Sequence, residues 1–222
     1  MARTRAFVFD MDGTMVDSMP AHARSWDVFR QRHQVPMGVD EILRRTTGKN
    51  GAECMRVLFG EQLADDEAWR LSYEKEAIYR DLFGREFRAV PGVQDFVAEA
   101  VGRGLRFAVA SGGDKKNVGF ALDHLKLPHA PDAIVAGDDG FPGKPEPALF
   151  LEAARRLQLA SAECLVFEDA PFGVQAAERA GMRAVAICTT HAAGELAGRH
   201  VIAQARDFDE LLKLNFLESL DA

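Results

Sequence analysis

The chain has few cysteines, no long apolar run and no surplus of positive charge. Its three cysteines, Cys54, Cys164 and Cys188, are odd in number and widely separated. That pattern excludes a disulfide frame and a zinc cluster, and a reducing compartment is expected. Cys164 and Cys188 lie in apolar runs and read as small buried hydrophobes. No stretch is long and apolar enough to span a membrane. The start, Met1-Ala2-Arg3-Thr4-Arg5, is basic, but the apolar run after it is too short for a signal sequence and ends in Asp10. A cytoplasmic location without membrane attachment is the expectation. Lys and Arg number 27 against 34 Asp and Glu, a net charge of -7. No nucleic-acid partner is expected, because a phosphate backbone requires clustered cations. Small anionic substrates stay open, since charge at the site decides their binding. Repeats and low-complexity tracts are absent too. What is present is ordinary for a globular protein: 222 residues, 47% hydrophobic and 27% charged. That is enough for one domain, or a domain with a modest insertion.

One stretch organises the rest. Ala6-Phe7-Val8-Phe9 is an apolar run that ends abruptly in Asp10-Met11-Asp12-Gly13-Thr14. The run reads as a strand buried on both faces, the kind found inside a parallel sheet. Ligands of open parallel sheets bind outside the carboxyl ends of the strands, where Asp10 and Asp12 stand. Two carboxylates so close disfavour joint ionisation unless a positive charge offsets them. Mg²⁺, a hard cation that prefers carboxylate oxygen, is the natural candidate. Gly13 lets the chain turn sharply and approach a ligand closely.

After Ser18 the pattern becomes helical. Helices are predicted from about 21 to 34, 39 to 45, 52 to 59 and 65 to 83, the last opened by acidic residues that suit a helix N-terminus. A glycine-bearing loop, Thr46 to Gly51, separates the second and third. Nothing between Met19 and Arg88 reads as a strand. From Val90 strands and helices alternate. Strands are predicted at 105–110, 133–136, 164–167 and 183–188, and helices at 93–101, 115–125, 147–157, 174–180 and 208–217. Such alternation argues for βαβ units and a parallel sheet.

The run Asp10-Met11-Asp12-Gly13-Thr14-Met15-Val16-Asp17-Ser18 resembles the first motif of the haloacid dehalogenase superfamily of phosphohydrolases, and three later stretches extend the resemblance over nearly the whole chain. It implies an α/β fold: a Rossmann-like parallel sheet flanked by helices, interrupted after the first strand by a small all-helical cap. The core would span 1–16 and 88–222, and the cap 17–87. By the same resemblance Asp10 is the nucleophile, forming an aspartyl-phosphate, and Asp12 the general acid and base. Dehalogenases proper and phosphonate-cleaving relatives lack the second aspartate, so Asp12 points to phosphate esters. Val166-Phe167-Glu168-Asp169-Ala170-Pro171 is similar to the fourth motif. It implies Mg²⁺ held by Asp10, Asp169 and the Asp12 backbone carbonyl, with Glu168 reaching the metal directly or through water. Ser111, which follows a buried strand, matches the second motif, and its hydroxyl with the Gly112 and Gly113 amides would cradle phosphate. Lys144, in Gly143-Lys144-Pro145-Glu146-Pro147, matches the third and would neutralise Asp10 and the phosphoryl oxygens.

The cap carries the substrate expectations. Gly48 resembles a glycine of the substrate-specificity loop in β-phosphoglucomutase-like members, and Lys49 is a cation in that loop. Lys75 matches a lysine that reaches phosphate there, and His22 a histidine near the hinge. Lys49 and Lys75 read equally as surface charges, and His22 as an ordinary helix or core polar side chain. Mutases place a lysine just before the loop glycine, whereas here Thr47 stands. The expected enzyme is therefore a phosphatase acting on a small phosphorylated metabolite, first a sugar phosphate, as a monomer or weak homo-oligomer. A hexose-phosphate mutase is the alternative, followed by a phosphorylation-switched receiver or binding module.

Overall fold

The computed structural model describes residues 3–220; the outermost residues of the expected core segments, Met1, Ala2, Asp221 and Ala222, lie outside them. Among the described residues six parallel strands form one sheet: β1 (Ala6–Phe9), β2 (Arg106–Ala110), β3 (Ala133–Val135), β4 (Cys164–Glu168), β5 (Arg183–Ile187) and β6 (Val201–Ala205), in the order β3-β2-β1-β4-β5-β6. β1 lies between β2 and β4, with Phe9 level with Val109 and Phe167. The order reverses between β1 and β4, which opens a crevice at their carboxyl ends.

Alternation along β1 gives the two faces of the sheet different cores. Phe7 and Phe9 point to one side, with Phe107 and Phe167. Phe9 stacks on Phe167 at 4.7 Å, and Phe96 of α5 (Val93–Gly102) and Phe208 of α9 (Phe208–Lys213) close over them. Each of these rings is worth about 1.5–3 kcal/mol of burial. Ala6 and Val8 face the other way, among Ala108, Ala110 and Val166. Small side chains there let α7 (Ala148–Arg156) and α8 (Pro171–Arg179) approach through Ala153, Ala154, Ala176 and Ala177. On this scaffold α6 (Lys115–Leu125) joins β2 to β3.

Four helices lie between β1 and α5: α1 (Met19–Arg32), α2 (Val39–Thr46), α3 (Gly51–Phe59) and α4 (Asp65–Gly84). They share a cluster of their own, which includes Trp26, Phe29, Ile42, Met55 and Leu71. Tyr79 and Phe83 of α4 instead join the sheet's aromatic core. The insert leaves and rejoins the sheet at one place, where the Asp17 amide donates to Arg88 O (2.9 Å) and the Val90 amide to Met15 O (3.0 Å). Asn50 and Glu53 cap α3 reciprocally, each side chain taking the other's backbone amide.

The structure differs from the prediction at three elements. β6 was absent from the sequence prediction. It is a half-exposed edge strand whose five residues alternate weakly, and Ile202 faces outward. The helix expected over 208–217 is two: α9 and α10 (Phe216–Ser219), separated at Asn215, which takes a left-handed φ of 51°. α8 begins at Pro171 rather than Val174, since a proline fits the first helical turn, where no amide is needed. No helix among the described residues is long and apolar enough to cross a membrane.

Candidate active site

The carboxyl ends of β1, β2 and β4 and the loop before α7 meet in one cavity of about 180 Å³, roofed by α1, α4 and the loop Thr46–Gly51. All of the residues expected in the site line it except Gly13, which lies beneath Asp169.

β4 is hydrogen-bonded to β1, and the Asp10 amide continues the ladder to Phe167 O at 3.0 Å. This brings Asp10, Glu168 and Asp169 together, all nearly inaccessible to solvent. Lys144, from the far side, donates to both Asp10 Oδ1 and Glu168 Oε1, with its ammonium 4.8 Å above the Phe150 ring. Burial pushes the Asp10 carboxyl well above its ordinary range. Lys144 opposes this, and the charges of Glu168 and Asp169 add to it. Asp169 is raised likewise, by burial and then by Glu168. Burial would lower Lys144, but Asp10 and Glu168 outweigh it and the ammonium is held charged. Two buried carboxylates, Asp10 and Glu168, therefore share one ammonium, and a third, Asp169, lies within reach of its charge.

Glu168 spends its carboxylate within the protein. Oε1 takes Lys144, and Oε2 accepts the Asp169 and Ala170 amides at 2.8 Å. Glu168 thus supports Lys144 and the turn after β4. Asp169 accepts the Thr14 hydroxyl on Oδ1 (3.0 Å) and the Thr190 hydroxyl on Oδ2. It lies directly over Gly13, whose φ of +86° only glycine adopts freely. A Cβ there would stand 2.2 Å from Asp169 Oδ2.

Asp12 sits in a different environment. Its Oδ1 accepts Ser18 Oγ (2.7 Å), His22 Nε2 (3.2 Å) and Tyr79 Oη (3.3 Å). Lys75 Nζ donates to His22 Nδ1 at 2.7 Å, so the ring proton belongs on Nε2, facing Asp12. Burial works to raise the Asp12 carboxyl, but His22, Ser18 and Lys75 outweigh it and hold it down at about 2. Lys75 also pairs with Glu76 (2.9 Å) and lies 4.6 Å over the Trp26 ring. Lys75, the lysine expected to meet phosphate, is tied to the Asp12 carboxylate through His22. Glu76 in turn accepts Asn117 Nδ2 from α6 at 2.7 Å, which links insert and sheet.

The Ser111 hydroxyl accepts the Gly113 amide at 3.0 Å and is buried beside Asp10 and Asp12 in the cavity floor. A Cβ at Gly112 would stand 3.1 Å from the Lys49 carbonyl oxygen, and one at Gly48, at φ +79°, 3.0 Å from that of Lys144, so the insert's loop lies close against both core loops. Glu53 adds a bond from the Gly143 amide (3.1 Å), and Asn50 Nδ2 donates to Phe141 O (3.1 Å). Lys49 is half-buried at the cavity wall. Cys54, also in the wall, is a neutral thiol pushed by burial up to about 12.

Sequence reasoning singled out neither Thr190, Glu76, Asn117 nor Tyr79. Thr14 and Ser18 stood inside the quoted motif without a role. Only the structure brings 190 to 169 and 76 to 117.

This geometry agrees with the comparisons. A family model for haloacid dehalogenase-like hydrolases matches residues 4–181. The chain belongs to that family. It is accordingly an enzyme, a hydrolase with phosphatases among its named relatives. The fructose-1-phosphate phosphatase YqaB of Escherichia coli (strain K12) is 34% identical over 186 residues, 82% of this chain and 96% of that one. Hexitol phosphatase A of the same strain is 33% identical over 192 residues, 83% of each. The crystal structure of a hydrolase from Pseudomonas syringae superposes with a TM-score of 0.84 at 28% identity, over 97% of this chain and 99% of that one. Membership of a hydrolase family leaves the receiver or binding-module alternative without support.

Proposed function

We propose that this enzyme is a Mg²⁺-dependent phosphatase that hydrolyses a small phosphomonoester, a sugar or sugar-alcohol phosphate, through an aspartyl-phosphate on Asp10. The observation that carries the reading is the contrast between its two aspartates. Asp10 is buried against Lys144 among carboxylates, while Asp12, two residues on, is gripped by hydroxyls and His22. Environments that push two titratable groups apart assign them different tasks.

In the first half-reaction an Asp10 oxygen attacks phosphorus, and the bond to the leaving alkoxide breaks. Lys144 opposes the effect of burial on Asp10, favouring its ionised form, and faces the phosphoryl oxygens, whose other side meets the Ser111 hydroxyl and the Gly112 amide. Asp12 gives the alkoxide a proton. Held near 2 in the free enzyme, Asp12 acquires that proton as the phosphoryl charge arrives beside it. In the second half-reaction it takes a proton from water, which attacks the acyl phosphate and frees Asp10. The insert covers the reacting centre and excludes bulk water.

The donor chemistry fits Mg²⁺. Two buried carboxylates with raised proton affinity, Asp10 and Asp169, exceed what one lysine neutralises. Among the described residues no three His, Cys, Asp or Glu side chains gather as a metal cage. Mg²⁺ needs none, since it usually takes one or two carboxylates and keeps waters or substrate phosphate. Asp10, Asp169 and the Asp12 carbonyl would hold it, and it would offset phosphoryl charge.

The substrate class rests on the relatives' names and on the cavity, whose wall mixes Trp26, Leu43 and Met55 with Lys49, Ser72 and Asn117. Thr47, where mutases carry lysine, favours hydrolysis over phosphoryl return. The deciding test is phosphate release across a panel of phosphorylated sugars and polyols, with and without Mg²⁺, and an acid-quenched phosphoenzyme mapped by mass spectrometry. Phosphate on Asp10 and an inert Asp10→Asn variant are expected. Turnover by that variant, or glucose 6-phosphate formed from β-glucose 1-phosphate without free phosphate, would refute it.

A further inference from the structure

Beyond the four motif segments, a fifth stretch reaches the site: Cys188-Thr189-Thr190-His191, the loop that follows β5. Thr190 is an exposed residue, yet its hydroxyl meets Asp169 Oδ2, and Asp169 is buried. The same hydroxyl lies 2.9 Å from the Asp169 carbonyl and 2.9 Å from His191 Nδ1. His191 Nδ1 is itself 3.1 Å from the Asp169 carbonyl. One hydroxyl proton cannot satisfy two oxygens fully. With the proton of His191 on Nδ1, the imidazole donates to the carbonyl, and the threonine proton is free for the carboxylate. Thr189 Oγ1 donates to the Gly13 carbonyl, on the turn beneath Asp169. The loop thus holds both the carboxylate and the turn on which it rests.

We infer that Thr190 is a positioning residue: it fixes the rotation of the Asp169 carboxylate and so sets the affinity of the site for a divalent cation. The inference rests on the metal-dependent reading above. Thr14 holds Oδ1 from the β1 side, so with Thr190 both oxygens are oriented before a cation arrives. A carboxylate with one oxygen released rotates about its χ2 bond, which is broad and soft, and its metal site loses order. Partners that orient a ligand in this way are commonly worth 10–100-fold in metal affinity. Because Thr190 is exposed, its replacement leaves the core untouched.

The test is binding of Mg²⁺ alone, by calorimetry, and of Mn²⁺ by electron paramagnetic resonance, to the full chain without substrate. Thr190→Val should weaken both about 10-fold or more, Thr190→Ser should restore wild-type affinity, and the melting temperature in EDTA should stay within about 2 °C for both variants. Unchanged affinity in Thr190→Val, tighter binding, or a serine variant as weak as the valine one would overturn the inference. A wild-type chain that binds neither cation would refute the metal-dependent reading itself.

Discussion

Removing Lys144 should expose the electrostatic cost that the site carries. In Lys144→Met the ammonium is lost, while Asp10, Glu168 and Asp169 remain buried within reach of one another. Breaking a buried pair by deleting one partner costs about 3–5 kcal/mol, because a charge is left uncompensated. For a chain of this length that corresponds to a fall of roughly 6–20 °C in melting temperature. The pH dependence has a definite sign. Asp10 carries a folded-state pKa above its unfolded value, so the folded state binds the proton more tightly. Its contribution favours folding at low pH and is lost as pH rises from about 4 through the folded value. Lys144→Met raises that value further, so its penalty should be larger at pH 8 than at pH 5, the direction in which proton uptake by Asp10 relieves the uncompensated charge. Urea unfolding in EDTA at the two pH values measures both quantities. Lys144→Met with Glu168→Gln removes one repelling charge and should recover part of the loss. A penalty below about 1 kcal/mol at pH 8, or equal penalties at both pH values, would refute the shared-ammonium account.

Mg²⁺ should raise the wild-type melting temperature more at pH 8 than at pH 5, since at pH 5 protons already occupy the raised carboxylates; calorimetric melts at both values check this. Asp12→Asn should remove about 2 kcal/mol of stability at pH 7, the linkage of a carboxyl lowered from 3.8 to about 2. That stability exists above about pH 4 and is lost as pH falls through about 2, so the gap between variant and wild type in urea melts must narrow on acidification. Gly13→Ala should displace Asp169, cost about 1–3 kcal/mol from its left-handed backbone, and cut turnover about 100-fold in a phosphate-release assay.

Most of the sheet was legible because its strands are buried on both faces, and runs such as Phe7-Val8-Phe9 have no polar interruption. β6 was illegible for the opposite reason. As an edge strand it needs only one covered face, and Val201-Ile202-Ala203-Gln204-Ala205 carries too little contrast between its faces. The break at Asn215 turns on one left-handed residue, which asparagine tolerates without announcing it in a helical pattern. In the site, residues that stand at strand ends in tight turns were readable because the stretches that carry them resemble the family's motifs. Glu168 was placed but not oriented: its engagement with Lys144 and two amides depends on an ammonium 24 residues away. Thr190 was unreadable because an exposed threonine in a loop has no pattern, and its meaning lies in a contact across 21 residues.

The division of labour between sheet and insert follows from which element surrounds each aspartate. Asp10 is set by β1, β4 and Lys144, all outside the helical insert. Asp12 is set by Ser18 at the start of α1, His22 on α1, and Tyr79 and Lys75 on α4. A shift of α1 and α4 against the sheet would therefore strip donors from Asp12 and leave the Asp10–Lys144 pair intact. The insert then does more than cover the cavity: it supplies the hydrogen bonds that make the Asp12 carboxylate unlike that of Asp10. Asp10 and Asp12 lie two residues apart on one turn, so the strand alone could not give them opposite proton affinities. The chain separates them by building the second environment from helices placed elsewhere in the sequence.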